Sequence, residues 1–335
     1  MLPGVEQEGE RPGAPAVGEA LPAHVSLHDR VDRARDEVEQ RIDRARDQFE
    51  ATNERIKKRT GRDLVAAIAV GVAAGAAVLA SLIFATWVFA ILAVGIAVLG
   101  VFEFGRALQA RGRRIDIVPQ VIGAVAIIAA AYWFSTAVHW TSLFFALALI
   151  IVWRVLAQMT ARDGRVYASI FSDIIVGCFV PLYVPFLASS ALVLARQEHG
   201  GMWVVAFLLV VVVADTGAYA TGMAFGRHKL APRISPGKTW EGFAGAVAIS
   251  GAVGAVACIF LVGIPWWAGA IFGVVLAGSA TLGDLAESMI KRDLGVKDMS
   301  SWLPGHGGVL DRLDSILPSS VVALALFQFL GPLAA

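Results

Sequence analysis

Two pairs of acidic residues, each three apart, stand out: Asp284 with Glu287, and Asp311 with Asp314. Side chains three apart share one face of a helix. Oxygen donors without His or Cys beside them suit a hard cation such as Mg2+. Helix capping is the plainer use of an acid, and it accounts for Asp311. It does not account for Asp284 and Glu287, which fall toward a helix C-terminus, where the dipole disfavours negative charge. Between the pairs lie Lys291, Arg292, Lys297 and the run Pro304-Gly-His-Gly-Gly308. Glycines just before a helix let backbone N–H groups approach an anion, which places Gly307 and Gly308 near a phosphate. His306 adds a donor there. Carboxylates, cations and glycines in one stretch supply the parts for phosphoryl or nucleotidyl transfer.

A second stretch complements the first. Asp215 lies in an apolar run, twelve residues before Arg227. A carboxylate at that depth costs about 2.5–3.5 kcal/mol to insert, so it reads as functional. With Tyr219, Gly222 and Gly226 it predicts a polar cavity. Arg227, His228, Lys229, Arg233 and Lys238 then supply anion-binding charge, and Ser235-Pro-Gly-Lys-Thr-Trp-Glu241 follows. Headgroup attraction explains the cations alone. It leaves Ser235, Thr239 and the rest of that run as candidates for substrate contact. This is not a P-loop, because Pro232 stands where the first glycine is required. Glu103 and Asp173 are further intramembrane acids, read equally as cavity lining or as buried hydrogen-bonding groups.

The elements that must position these residues are membrane helices. Of 335 residues, 57% are hydrophobic and 16% charged, with a mean hydropathy of +0.68. That excludes a water-soluble globular enzyme, a disordered chain and a nucleic-acid binder carried by a basic surface. An all-α polytopic membrane protein is expected. Its nine spans fall near 64–82, 84–102, 117–134, 138–155, 167–195, 202–226, 241–264, 266–289 and 315–333. The division near Thr86 is the least marked. Trp133, Trp140, Trp203, Trp266 and Trp267 fall near span ends and read as interface anchors.

Charge placement orients the spans. Beyond residue 62 there are sixteen basic residues, and fifteen fall in or beside alternate loops. Arg196 is the exception. The positive-inside rule puts the N-terminus and both chemistry-bearing loops in the cytoplasm, and the C-terminus outside. Six lysines against 22 arginines point to a GC-rich bacterial genome, and a bacterial inner membrane is the expected location. Residues 1–26, rich in Pro, Gly and Glu, are expected to be disordered. Residues 27–62 predict a charged cytoplasmic or membrane-surface helix ahead of a membrane domain over 63–335. In it Val31-Asp-Arg-Ala-Arg-Asp recurs as Ile42-Asp-Arg-Ala-Arg-Asp, eleven residues on. An eleven-residue period keeps one apolar stripe on one face. No apolar core precedes small residues at the N-terminus, so a cleaved signal peptide is not expected. Cys178 and Cys258 read as small buried thiols, not as metal ligands or a disulfide.

The stretch SMIKRDLGVKDMSSWLPGHGGVLDRLDS, from Ser288 to Ser315, resembles the signature of the phosphatidate cytidylyltransferases, or CDP-diacylglycerol synthases. It carries S-x-x-K-R, a K-D pair, P-G-H-G-G and D-R-x-D in that order. Asp215-Thr-Gly-Ala-Tyr and Ile234-Ser-Pro-Gly-Lys-Thr-Trp-Glu-Gly are similar to that family too, so the resemblance covers roughly 200–316, with the signature region at 215–315. Earlier spans match only in hydropathy, and the first 62 residues lie outside the common core. The family commonly has two lysines where this chain has Gly237-Lys238.

The resemblance implies the reaction of CTP with phosphatidate, giving CDP-diacylglycerol and pyrophosphate, an early step of phospholipid biosynthesis. It implies Mg2+, with a second cation allowed, held by Asp284, Asp311 and Asp314, with Glu287 as a further candidate. Lys238, Lys291, Arg292 and His306 match positions expected near phosphates. Tyr219, Lys229, Arg233, Ser235, Thr239 and Lys297 complete the substrate contacts. The expected partners are the two substrates and the bilayer, not nucleic acid, and a homodimer is one allowed assembly. The rival readings are a CTP-dependent lipid kinase of the polyprenol type and a cytidylyltransferase for another lipid phosphate. A transporter is disfavoured, because neither motif has a second copy.

Overall fold

The computed structural model describes residues 64–161, 164–300 and 307–334. The chain divides into two units, Met1–Gly61 and Arg62–Ala335, and the described residues belong to the second. The tail expected over 1–26, the charged helix expected over 27–62, Arg162 and His306 lie outside the described residues.

Long runs of Ala, Val, Leu and Ile leave the backbone to satisfy its own polar groups, which in lipid means helix. The helices are α1 (Leu64–Phe84), α2 (Thr86–Ala110), α3 (Ile117–Trp133), α4 (Thr136–Thr160), α5 (Tyr167–Pro181) and α6 (Leu187–Ala195). Then come α7 (Gly200–Phe225), a hairpin of β1 (Lys229–Ala231) and β2 (Ser235–Thr239), α8 (Trp240–Leu261), α9 (Trp266–Asp293) and α10 (Ile316–Leu330). A 3-10 turn, Leu310–Arg312, precedes α10. The chain is thus an all-α polytopic membrane protein. With α5 and α6 taken as one rod, seven rods among the described residues are long and apolar enough to cross a membrane. The 17-residue α3 and the Gly71–Phe84 part of α1 are shorter apolar segments.

The division near Thr86 falls at Ala85, whose extended backbone (φ −159°) separates α1 from α2. The span expected over 167–195 contains a π-turn at Leu182–Phe186. Pro185 sits inside it and has no N–H for the helical ladder, which locally widens the helix.

The tightest packing joins α7, α8 and α9. A Cβ on Gly254 would lie 2.5 Å from the carbonyl oxygen of Gly269, so only glycine permits that α8–α9 crossing. Trp203 packs edge-on to Phe272 (5.6 Å) and Phe327 (5.3 Å). It is 1% exposed and belongs to the core, not to a membrane interface as its position near a span end suggested. The other four tryptophans named above are exposed.

Side chains tie four loops to one end of the bundle. Arg165 joins Asp173 and the Gly112 carbonyl, linking the α4–α5 and α2–α3 connections. Arg292 Nε donates to the Ile234 carbonyl (3.3 Å), linking the last turn of α9 to the hairpin. Ser300 Oγ donates to Glu103 (2.5 Å), joining both halves. Arg196 instead caps the α3 C-terminus, donating to the Ala131 and Phe134 carbonyls (both 2.8 Å).

Candidate active site

A cavity of about 500 Å3 opens where α7, the hairpin, α8, α9 and the start of α10 meet. Its polar wall is Asp215, Ser235, Lys238, Thr239, Thr281, Asp284, Asp311, Arg312, Asp314 and Ser315, and Tyr219, Met223, Leu230 and Phe243 make a more apolar side. Close backbone approach assembles the acids. A Cβ on Gly283 would meet the Asp314 carbonyl at 2.5 Å, so glycine lets α9 touch the head of α10 and sets Asp284 beside Asp314.

The four paired acids share this region, but two lysines are threaded among them. Lys238 Nζ lies 2.6 Å from Asp284 Oδ2. Lys291 Nζ lies 3.3 Å from Glu287 Oε1 and 3.1 Å from Asp311 Oδ1. Glu287 is fully buried, and neither of its oxygens makes a hydrogen bond. Its compensation is the Lys291 charge. Asp311 accepts from the Gly308 N–H (2.8 Å) and the Met299 N–H (3.0 Å) as well as from Lys291. Ser315 Oγ stands between Asp314 (3.3 Å) and Asp215 (3.2 Å) and serves one of them at a time with its single proton. Burial, together with the negative charges of Asp284 and Asp215, pushes Asp314 up to about 6 against the pull of the Ser315 N–H and Lys291. Among the described residues no three His, Cys, Asp or Glu side chains form a ready metal-binding group.

The Ser235–Glu241 run divides its labour. Thr239 caps α8, its hydroxyl accepting from the Gly242 N–H at 3.1 Å. Glu241 accepts from the Arg227 N–H (3.1 Å) and the His228 N–H (3.2 Å) and pairs with His228 Nδ1 (2.6 Å). These contacts fix the hairpin against α8, and Lys238 is left turned toward Asp284.

Other expected site residues stand outside the cavity. Lys229, Arg233 and Lys297 are exposed, and Arg292 holds the hairpin through Ile234. Lys291 braces Glu287 and Asp311 from behind. Within the glycine run, Gly308 does not offer its N–H outward. The Gly308 N–H goes to Asp311, while the N–H groups of Val309 (2.9 Å) and Leu310 (3.0 Å) go to Glu103. The anion they bind is internal. Asp173 is likewise internal, salt-bridged to Arg154 and Arg165.

Sequence reasoning missed Ser315, Thr281 and the central part played by Glu103. Ser315 closes the D-R-x-D motif, so its place in the signature was the available signal. Glu103 carried only the signal of an acid at a helix end.

The chain is similar to known proteins over most of its length. Residues 65–330 match the family described as the cytidylyltransferase family. The phosphatidate cytidylyltransferase of Mycobacterium bovis is 36% identical over 277 residues, covering 81% of this chain and 90% of the relative. That of Mycobacterium leprae is 36% identical over 280 residues, with the same coverage. That of Haemophilus influenzae is 41% identical over 158 residues, covering 44% of this chain and 54% of the relative.

Proposed function

This chain belongs to the cytidylyltransferase family, and from that premise we propose the following reading of its chemistry. The enzyme transfers the cytidylyl group of CTP to phosphatidate, giving CDP-diacylglycerol and pyrophosphate. The observation that carries the residue assignment is the Lys238–Asp284 pair on a cavity with one polar and one apolar side.

Both substrates are anions, so the main barrier to their meeting is electrostatic. Lys238 and Arg312, both on the cavity wall, would hold phosphate oxygens of the two reactants. Thr239 and Glu241 keep the hairpin in place, so only the Lys238 side chain has to swing from Asp284 to a phosphate oxygen. No general base is required, because the attacking phosphate oxygen is already ionised at neutral pH. The acyl chains would lie along Tyr219, Met223 and Phe243, and CTP would enter from the aqueous end.

Magnesium fits the donor set, which is oxygen-only and rich in negative charge. Asp284, Asp311 and Asp314 would hold it, with Glu287 behind them. Burial first, and the carboxylates of Asp284 and Asp215 second, raise the Asp314 pKa, and a divalent cation would offset the carboxylate repulsion. At Asp284 and Asp311 the cation would take the place now held by Lys238 and Lys291. When bound, it would neutralise the developing charge on the pyrophosphate leaving group.

The one-ended distribution of cations supports a site facing the cytoplasm of a bacterial inner membrane. The deciding experiment incubates purified enzyme with α-labelled CTP and phosphatidate. CDP-diacylglycerol and pyrophosphate are expected. Release of CDP with a newly phosphorylated lipid would establish a kinase instead.

A further inference from the structure

The segment that contains the signature glycines leaves Met299-Ser300 and returns at Gly307-Gly308. Its two ends are joined by carboxylates from opposite directions. Asp311 binds the Met299 N–H on one side and the Gly308 N–H on the other. Glu103, on α2, binds the Ser300 hydroxyl on one side and the Val309 and Leu310 N–H groups on the other. Glu103 is 1% exposed, and no basic side chain pairs with it among the described residues. Its charge is compensated by those three donors. The contact spans 206 residues of sequence. Around it Val101, Phe104 and Leu310 pack in one cluster with Leu317, so α2 is held against the turn by apolar contact as well.

We infer that Glu103 is a positioning residue for the transfer reaction. From α2 it ties Ser300 to Val309 and Leu310 and fixes the 3-10 turn that carries Asp311 and, two residues beyond it, Asp314. The inference rests on the cytidylyl-transfer reading. A carboxylate is required because both oxygens accept, Oε1 from Ser300 and Val309, Oε2 from Leu310. Glutamine has the same shape but a single acceptor oxygen, so one backbone N–H would face an NH2 group. The turn would shift to escape that contact, and the two aspartates would move with it. Groups that orient metal-binding and catalytic residues from behind typically change affinity or rate by about 10- to 100-fold when lost.

The test compares Glu103→Gln, Glu103→Asp and Ser300→Ala in the purified full-length chain. In Glu103→Gln, amide exchange should quicken over 307–314 while α7, α8 and α9 keep wild-type protection. The kcat for CDP-diacylglycerol formation should fall by about 10- to 100-fold, and half-saturating Mg2+ should rise, at unchanged phosphatidate KM. Ser300→Ala keeps both backbone bonds and should stay near wild type. Wild-type kcat and wild-type exchange in Glu103→Gln would overturn the proposal. So would faster exchange across every helix, which would mark Glu103 as a general packing residue. Should Glu103→Gln not fold, Glu103→Asp keeps both acceptors one methylene further back, and the same local signature is expected. In the wild type, the Val309 and Leu310 amides should exchange as slowly as those of α2, and rapid exchange there would overturn the clasp without any variant. If the wild type makes no CDP-diacylglycerol, the transfer reading fails, while the exchange pattern still reports on Glu103.

Discussion

The Lys238 ammonium and the Asp284 carboxylate stand 2.6 Å apart on the cavity wall, and the same ammonium lies 3.4 Å from the Thr281 carbonyl. Lys238 thus occupies a position that a divalent cation on Asp284 would claim. Binding of substrate and cation should therefore move the lysine from carboxylate to phosphate. Lys238→Met is expected to lower kcat/KM for CTP by about 100-fold, the usual cost of losing one preorganised charge-stabilising group. It should also strengthen Mn2+ binding in the absence of CTP, because Asp284 loses its competitor. Steady-state kinetics and Mn2+ titration check the two effects, and weaker Mn2+ binding in the variant would refute the competition.

Asp314 carries the pH prediction. Burial and its acidic neighbours raise its pKa to about 6 in the folded, metal-free protein. The folded state therefore binds this proton more tightly than the unfolded chain does. The sign follows: stability attributable to Asp314 is greatest below the ordinary aspartate pKa and declines as pH rises toward about 6. Cation binding runs the other way, since a proton competes for the same oxygen, so half-saturating Mg2+ should rise as pH drops below about 6. Asp314→Asn should flatten the pH dependence of stability between the ordinary aspartate pKa and about 6, and abolish turnover. A variant that retains the wild-type slope would assign it to another group.

The sequence made some of this legible and hid the rest for physical reasons. Helices and their ends follow from runs of apolar residues whose length matches a bilayer, and even the weak break at Ala85 left a trace near Thr86. The spacing within Asp284–Glu287 and within Asp311–Asp314 was visible because it is a local property, and their meeting follows from consecutive spans that turn back at one membrane face. Glu103 was ambiguous because its partners lie about two hundred residues away, and nothing local marks an acid whose donors come from a distant turn. Gly308 suggested an external anion because a sequence shows an N–H group but not which carboxylate reaches it first. Trp203 misled for a similar reason: nearness to a span end says nothing of how many helices surround that end.

Thr239 separates an architectural role from a substrate role. Its hydroxyl caps α8 and also lines the cavity. Loss of such a cap costs about 1 kcal/mol. Thr239→Ala is expected to lower thermal stability by that amount with little change in KM for CTP, and Thr239→Ser, which keeps the hydroxyl, should restore it. A large KM increase in Thr239→Ala at preserved stability would make the hydroxyl a substrate contact.

Gly237 offers the reverse experiment, adding a charge instead of removing one. It lines the cavity next to Lys238, where the family commonly has a second lysine. A Cβ built there meets nothing within 4 Å, and its φ lies outside the left-handed region, so a lysine side chain fits without strain. An added cation at an exposed position beside a triphosphate site is worth about 0.2–1 kcal/mol, or no more than about five-fold in affinity. Gly237→Lys should therefore lower KM for CTP within that range. The gain should shrink as ionic strength rises, because the new charge is exposed and screened. A KM that stays at the wild-type value at low and high salt alike would place position 237 beyond reach of the phosphates, and would leave Lys238 as the hairpin's own contribution to binding them.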